Sequence, residues 1–240
     1  MSLGAGETTV MRMVTAYSML ANGGRRIKPT LIDRIQDRWG KTIYRHDERV
    51  CQGCEQAKWS DQSEPRLVDK REQVLDPLTA YQITSIMEGV VTRGTAQVIR
   101  EVGKHIAGKT GTTNDAKDVW FVGFSPDLAV GVFMGYDRPR SLGDSATAGQ
   151  YAAPIFRDFM KVALKDKPDT PFRVPAGVKL ISVDAKSGMR SSGAGTILEA
   201  FKPGTAPPDS YSILGDGSPR SLSVTPDADR AVGSGTGGLY

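Results

Sequence analysis

The chemically richest stretch of the sequence is Gly103-Lys-His-Ile-Ala-Gly-Lys109-Thr110-Gly111-Thr112-Thr113-Asn114. Two chemistries compete for it. Gly103, Gly108, Lys109 and Thr110 fit G-x-x-x-x-G-K-[ST], a loop whose backbone N–H groups cradle phosphates while the lysine reaches the terminal ones. Phosphate cradling needs a buried strand before Gly103 and a helix after Thr110. The preceding Val98-Ile-Arg-Glu-Val102 carries two charges in five residues, and Gly111 to Asp115 are poor helix formers as a group. Alternatively, Lys109, Thr110, Gly111 and Thr112 lie along one strand. A cation and two hydroxyls then meet an anionic carboxylate, and a glycine without Cβ lets a substrate backbone approach. A backbone N–H at the strand end can hold an oxyanion, where losing one donor costs about 2.7–4 kcal/mol. P-loop chemistry through Gly103 to Thr110 implies Mg-nucleotide binding; the strand implies carboxylate recognition.

The elements that must position this stretch follow from periodicity and capping. Val10, Met13, Val14, Tyr17 and Leu20 share one face of a helix, and Asn22-Gly-Gly24 stops it. Leu31–Gln36 and Thr42–Arg45 flank Asp37-Arg-Trp-Gly40 as a hairpin. Residues 46–73 are polar and irregular, which predicts a surface loop. Asp76-Pro77 starts a second helix, whose apolar face holds Leu78, Tyr81, Ile83, Met87, Val90 and Val91, and Gly94 ends it. Three strands are predicted next: His105–Thr112, Val119–Phe124 and Leu128–Gly135, the last two joined by Ser125-Pro-Asp127. A third helix covers Ala153–Leu164. Residues 171–202 predict two short strand-like pieces around Gly188 and Gly193. The fold class is therefore mixed α/β (α+β): an antiparallel sheet with flanking helices.

Composition narrows the function. The chain has 240 residues, 24% charged and 39% hydrophobic, with a net charge of +4. These values exclude a collagen, a coiled coil and a fully disordered chain. No Lys/Arg stripe points to nucleic acid. No run approaches the 18 apolar residues of a membrane span. Two cysteines cannot build a disulfide scaffold. Residues 204–240 hold 7 Gly, 6 Ser and 4 Pro with few large apolar groups, and are expected to be a disordered tail.

A series of motifs then makes the strand chemistry specific. In order they are Leu3-Gly-Ala-Gly-Glu7 with Ala16-Tyr17 and Leu20-Ala-Asn-Gly-Gly24; Thr79-Ala-Tyr-Gln82 with Gly89-Val-Val-Thr-Arg-Gly-Thr95; Ala107-Gly-Lys-Thr-Gly-Thr-Thr-Asn-Asp115; and Asp118-Val-Trp-Phe-Val-Gly-Phe-Ser-Pro-Asp127. Gly135-Tyr-Asp137, Ala152-Ala-Pro-Ile-Phe156 and Glu199-Ala-Phe-Lys-Pro-Gly-Thr205 follow. This series resembles the C-terminal half of the transpeptidase domain of class A, 1A-type penicillin-binding proteins, over residues 1–203. The resemblance implies a penicillin-binding protein/β-lactamase-like fold, here incomplete. It implies serine acyl transfer in peptidoglycan synthesis, in a parent protein with a glycosyltransferase domain, on the periplasmic side of the bacterial inner membrane. Lys109, Thr110, Gly111 and Thr112 correspond to the family's third motif. Lys109, Thr110, Thr112 and Thr113 are then expected to bind the D-Ala-D-Ala stem peptide and β-lactams, with the Thr112 N–H as half of the oxyanion hole. No metal or cofactor is implied.

One departure stands out. The family's nucleophile lies in Ser-x-x-Lys and its second motif is Ser-x-Asn; no serine of this sequence satisfies either. Both motifs are expected to precede Leu3, together with the family's membrane anchor. The chain is thus expected to be a piece of a longer protein, missing the N-terminal half of the domain and unable to acylate penicillin alone. A non-catalytic binding or scaffold role is the alternative.

Other candidates have plainer expectations. Cys51-Gln-Gly-Cys54 could be a redox pair, half a zinc site, inert thiols or a local disulfide; the extracytoplasmic setting implied by the resemblance favours the disulfide. His105 is expected to be structural, and His46 solvated. Asp115 and Asp118 are expected to cap turns. Trp120, Phe121, Met11, Met13 and Met19 are expected in the core.

Overall fold

Local capping chemistry starts and stops the helices where the sequence places them. In a computed structural model describing residues 6–54, 58, 60–61 and 66–208, helix α1 spans Val10–Ala21. The Thr9 side chain accepts the Arg12 N–H, and Gly23 and Gly24 follow with φ of +65° and +85°. Gly24 is required there: a Cβ would stand 2.3 Å from the Leu75 carbonyl oxygen. Helix α2 spans Pro77–Thr92, with the Asp76 carboxylate accepting the Thr79 N–H. Its buried stripe is Ala80, Thr84, Met87, Gly89 and Val91: Met87 and Val91 are buried as expected, while Ala80, Thr84 and Gly89 take the places expected for larger residues and Leu78, Tyr81, Ile83 and Val90 are not fully buried. Small side chains let the sheet approach closely, and the Thr84 hydroxyl is satisfied by the Ala80 carbonyl. Helix α3 spans Ala152–Ala163.

Strands β1 (Arg34–Gln36) and β2 (Thr42–Arg45) form the expected hairpin, with Asp37 accepting the Trp39 and Lys41 N–H groups. Every residue of both strands is exposed, so no buried face extends β1 back to Leu31. Residues 46–73 are not a plain loop. Strand β3 (Val50–Gln52) pairs with β4 (Arg66–Val68), and Arg25 bridges to Gln73. Asp69 receives Arg71 at 2.7 Å and Arg25 at 3.8 Å, tying this segment to the end of α1. A further short 3-10 helix, Gln97–Val102, escaped the sequence reading because Ile99 is its one fully buried side chain.

Strands β5 (Ala107–Thr112), β6 (Asp118–Phe124) and β7 (Ala129–Gly135) make an antiparallel sheet in that order. The sheet puts β5 at an edge. One face carries Val119 and Phe121 into a core with Ile99, Ile106, Phe156 and Met160. The other face carries Phe124 against Tyr17 and Phe172, under α1 and α2. Met11 is 51% exposed and so leaves the expected core; Met13 and Met19 are half-buried. Strands β8 (Lys179–Asp184) and β9 (Thr196–Phe201) form a hairpin. They flank Gly188 and Gly193 instead of centring on them, because Gly188 adopts φ +67° in the connection. Gln82 on α2 donates to the Ala200 carbonyl, and Arg93 pairs with Glu199, so this hairpin docks on α2. No helix among the described residues is long and apolar enough to cross a membrane. The tail expected from 204 onward lies outside the described residues after 208.

The Arg71 guanidinium, through its hydrogen bonds, and then Arg25 hold the Asp69 carboxyl at about 2, below its ordinary 3.8. A depressed folded value contributes stability above about pH 4 that is lost as pH falls through about 2. Asp69→Asn is expected to flatten the acid limb of a stability–pH curve between those values; urea midpoints measured across that range check it.

Candidate active site

The placement of Lys109 depends on an aromatic ring seated over two glycines. Gly108 pairs with Gly123, and Thr110 pairs with Phe121, across β5 and β6. The Phe121 ring folds over the glycine pair: a Cβ on Gly108 would lie 2.5 Å from its Cζ, and one on Gly123 would lie 2.7 Å from its Cε1. The same ring packs edge-on against Phe156 of α3 at 4.7 Å. Gly108 is therefore a packing glycine in a strand. This excludes the P-loop, since Gly103 ends a 3-10 turn at φ +68° and Gly108, Lys109 and Thr110 lie inside strand β5, followed only by a three-residue 3-10 turn, Asn114–Ala116, before β6. Gly111 differs. Its φ is ordinary, and an added Cβ would meet only the Trp120 Cβ, at 3.5 Å. Nothing in the fold demands glycine there.

At the open edge of β5 three side chains converge. The Lys109 ammonium curls back to donate to the Thr110 carbonyl at 3.1 Å and to Thr110 Oγ1 at 3.4 Å. Thr110 Oγ1 also lies 2.8 Å from Thr95 Oγ1. Thr112 Oγ1 accepts the Ala148 N–H at 3.1 Å. A backbone N–H can only donate, so the Thr112 hydroxyl proton remains free to donate elsewhere. The Thr113 N–H turns inward to the Asp118 carbonyl at 3.0 Å. Antiparallel pairs alternate between hydrogen-bonded and open, so the Thr112 N–H faces away from β6. The Thr113 hydroxyl is engaged by the turn: it accepts the Asp118 N–H at 2.8 Å and donates to the Asp118 carbonyl at 3.3 Å. Asp115 takes φ +57°, a conformation aspartate tolerates, and pairs with Lys117.

The other candidates lie elsewhere. His105 precedes β5 and joins it to α2 and to the 167–170 segment, with Nδ1 3.2 Å from Glu88 and Nε2 3.8 Å from Asp169. Burial pushes the Glu88 carboxyl up, against the opposing pull of His105. Cys51 and Cys54 form a disulfide on the β3–β4 hairpin. Among the described residues no cluster of His, Cys, Asp and Glu could hold a metal ion. His46 is half-buried, beside a cleft of about 720 Å³ whose arginines Arg26, Arg49 and Arg71 pair with Glu72, Asp47 and Asp69. Trp120 is half-buried and packs against Phe133 at 4.7 Å with the ring planes tilted by 52°, so of Trp120 and Phe121 only Phe121 is fully buried. Thr95 and Ala148 were not singled out as site residues. Thr95 stands fifteen residues before Thr110, and Ala148 thirty-six after Thr112, so no local spacing connects them.

The two glycines of the motif are expected to separate in stability. Gly108→Ala forces the Phe121 ring to move, and overpacking of this kind costs about 1–3 kcal/mol. At roughly 2–4 °C per kcal/mol for a chain of this size, Tm falls by several degrees. Gly111→Ala leaves Tm unchanged or slightly raised. Paired thermal melts decide, and equal losses would refute the distinction.

Known proteins place this geometry in a family. The penicillin-binding protein transpeptidase domain matches residues 1–161. The chain is 47% identical over 204 residues to penicillin-binding protein 1A of Rickettsia conorii, covering 84% of this chain and 26% of that protein. It is 41% identical to penicillin-binding protein 1A of Neisseria lactamica over 179 residues, 74% of this chain and 20% of that protein. A crystal structure of penicillin-binding protein 1A from Haemophilus influenzae superposes with a TM-score of 0.70 at 26% identity, over 88% of this chain and 34% of that one. The chain thus spans about a quarter of the curated relatives' length or less, and its helices and antiparallel sheet have the penicillin-binding protein/β-lactamase-like fold. By the matched domain and the shared fold, this chain belongs to the penicillin-binding protein transpeptidase family.

Proposed function

We propose that this chain supplies the carboxylate clamp and one oxyanion donor of a peptidoglycan D,D-transpeptidase. The observation that carries the proposal is the state of the β5 edge. Lys109, Thr110 and Thr112 present one cation and two hydroxyls beside a glycine whose missing Cβ serves nothing inside the fold. An extended stem peptide ending in D-Ala-D-Ala adds along this open edge, since an edge strand offers unpaired backbone groups. Its terminal carboxylate takes hydrogen bonds from Thr110 and Thr112 in the field of Lys109. Its scissile carbonyl oxygen faces the Thr112 N–H, which accepts the negative charge of the tetrahedral intermediate. β-Lactams carry a matching carboxylate beside a strained amide and enter by the same contacts. Thr113 holds the turn behind the clamp through Asp118.

The covalent steps belong to a serine outside this sequence. That serine attacks the penultimate D-Ala carbonyl, its proton passes to a general base, and the terminal D-Ala leaves with a proton on its amine. An amine of a second stem peptide then displaces the serine and forms the cross-link. No Ser-x-x-Lys occurs here, so the chain by itself binds without acylating. A periplasmic location fits the Cys51–Cys54 disulfide, which persists in oxidising compartments.

Incubation with a labelled β-lactam is expected to give no covalent adduct by mass spectrometry; a stable adduct would overturn the external-serine step. Reversible binding of an acyl-D-Ala-D-Ala peptide, followed by NMR titration, is expected to weaken about 10-fold or more in Lys109→Ala, the scale of a lost hydrogen bond to a charged group. Undiminished binding in that variant would refute the clamp.

A further inference from the structure

We infer that Thr95 is a positioning residue for the clamp, setting the direction in which Thr110 donates; this rests on the carboxylate-clamp reading above. The reasoning is hydrogen-bond accounting. A threonine hydroxyl has one proton and two lone pairs. Thr110 Oγ1 has Thr95 Oγ1 at 2.8 Å and the Lys109 ammonium at 3.4 Å. The ammonium can only donate. If Thr95 also donates, both lone pairs of Thr110 are filled, and its proton must point toward the open edge. Thr112 is arranged in the same way by a different donor, the Ala148 N–H. With Thr95 as donor, each clamp hydroxyl accepts from a group on another element, and each keeps its proton for a carboxylate.

Thr95 is itself held from behind. It lies between α2 and the 3-10 helix, next to Ala96, which is fully buried and whose N–H donates to the Val90 carbonyl. On its other side the backbone of Gly149 presses close: a Cβ there would lie 2.6 Å from the Thr95 carbonyl oxygen. Gly149 has no positive φ, so its lack of a side chain answers to this approach rather than to backbone conformation. Residues 148 and 149 therefore set both hydroxyls, Thr112 directly and Thr110 through Thr95. The consequence is selectivity for charge. One hydroxyl fixed as a donor, beside a second whose proton is available, favours a carboxylate, which only accepts, over a carboxamide, which presents donors of its own.

The experiment compares an acyl-D-Ala-D-Ala peptide with its C-terminal carboxamide by NMR titration against the chain and its variants. Thr95→Val, which keeps the shape and removes the hydroxyl, is expected to weaken acid binding about three- to tenfold while leaving carboxamide binding unchanged. Thr95→Ser is expected to restore the preference. Gly149→Ala, which pushes on the Thr95 carbonyl, is expected to shift the preference in the same direction as Thr95→Val and serves if that variant fails to fold. Equal weakening of acid and carboxamide would reduce Thr95 to a structural role and overturn the inference. If Lys109→Ala loses the acid preference and Thr95→Val keeps it, the inference alone falls. If the unaltered chain binds neither peptide, the clamp falls and the inference with it.

Discussion

The site rests on one packing contact: the Phe121 ring lying over Gly108 and Gly123 and against Phe156. It joins three things at once. The glycines bring β5 and β6 together beneath the ring, the ring joins the sheet to α3, and β5 carries Lys109, Thr110 and Thr112 one to four residues beyond Gly108. Burying a phenylalanine side chain contributes about 1.5–3 kcal/mol, and the close-packed interior transmits any displacement. A shift of the ring would therefore be felt first at the residues that follow Gly108. Position in the core and position of the proposed clamp are the same constraint, read at opposite ends of a short strand.

The edge itself is built differently. It is polar and largely exposed, and hydrogen bonds with Thr95 and Ala148, which belong to other elements, order it. This arrangement fits the proposed carboxylate clamp. A buried clamp would need its cation compensated in the absence of ligand, at high desolvation cost, whereas an edge clamp stays hydrated until a carboxylate arrives. The contrast with the charged cleft between the two small hairpins is instructive. There Arg26, Arg49 and Arg71 already hold neighbouring carboxylates, so these three guanidinium groups offer little to an anion whatever the size of the opening. Capacity for recognition follows from free donors rather than from volume.

Much of the fold was legible because its signals are local. Thr9 and Asp76 cap helices, Asn22 to Gly24 stop one, and Ser125 turns β6 into β7 by bonding across to Leu128. Each depends on residues within a few positions. The misreadings share the opposite property. Strands β3 and β4 are short, and β3 pairs with a segment some fifteen residues away, so no alternation marks them. The 3-10 helix is held chiefly by Ile99 entering a core assembled from distant elements. Met11 lies off the apolar face formed by Val10, Met13, Val14, Tyr17 and Leu20, and its side of α1 is exposed.

By itself the sequence determined the motif, the order of elements around it and the family, since types and spacings carry those. It also showed that no Ser-x-x-Lys accompanies the motif. The tertiary structure alone decided which glycine serves the core and which is left open, because Gly108 and Gly111 are identical in sequence terms and differ only in what lies across the sheet. It decided likewise that Thr113 is held by its turn while Thr95 and Ala148 hydrogen-bond to Thr110 and Thr112. A hydroxyl's role is set by which neighbours fill its lone pairs, and those neighbours arrive from elements that only folding brings together.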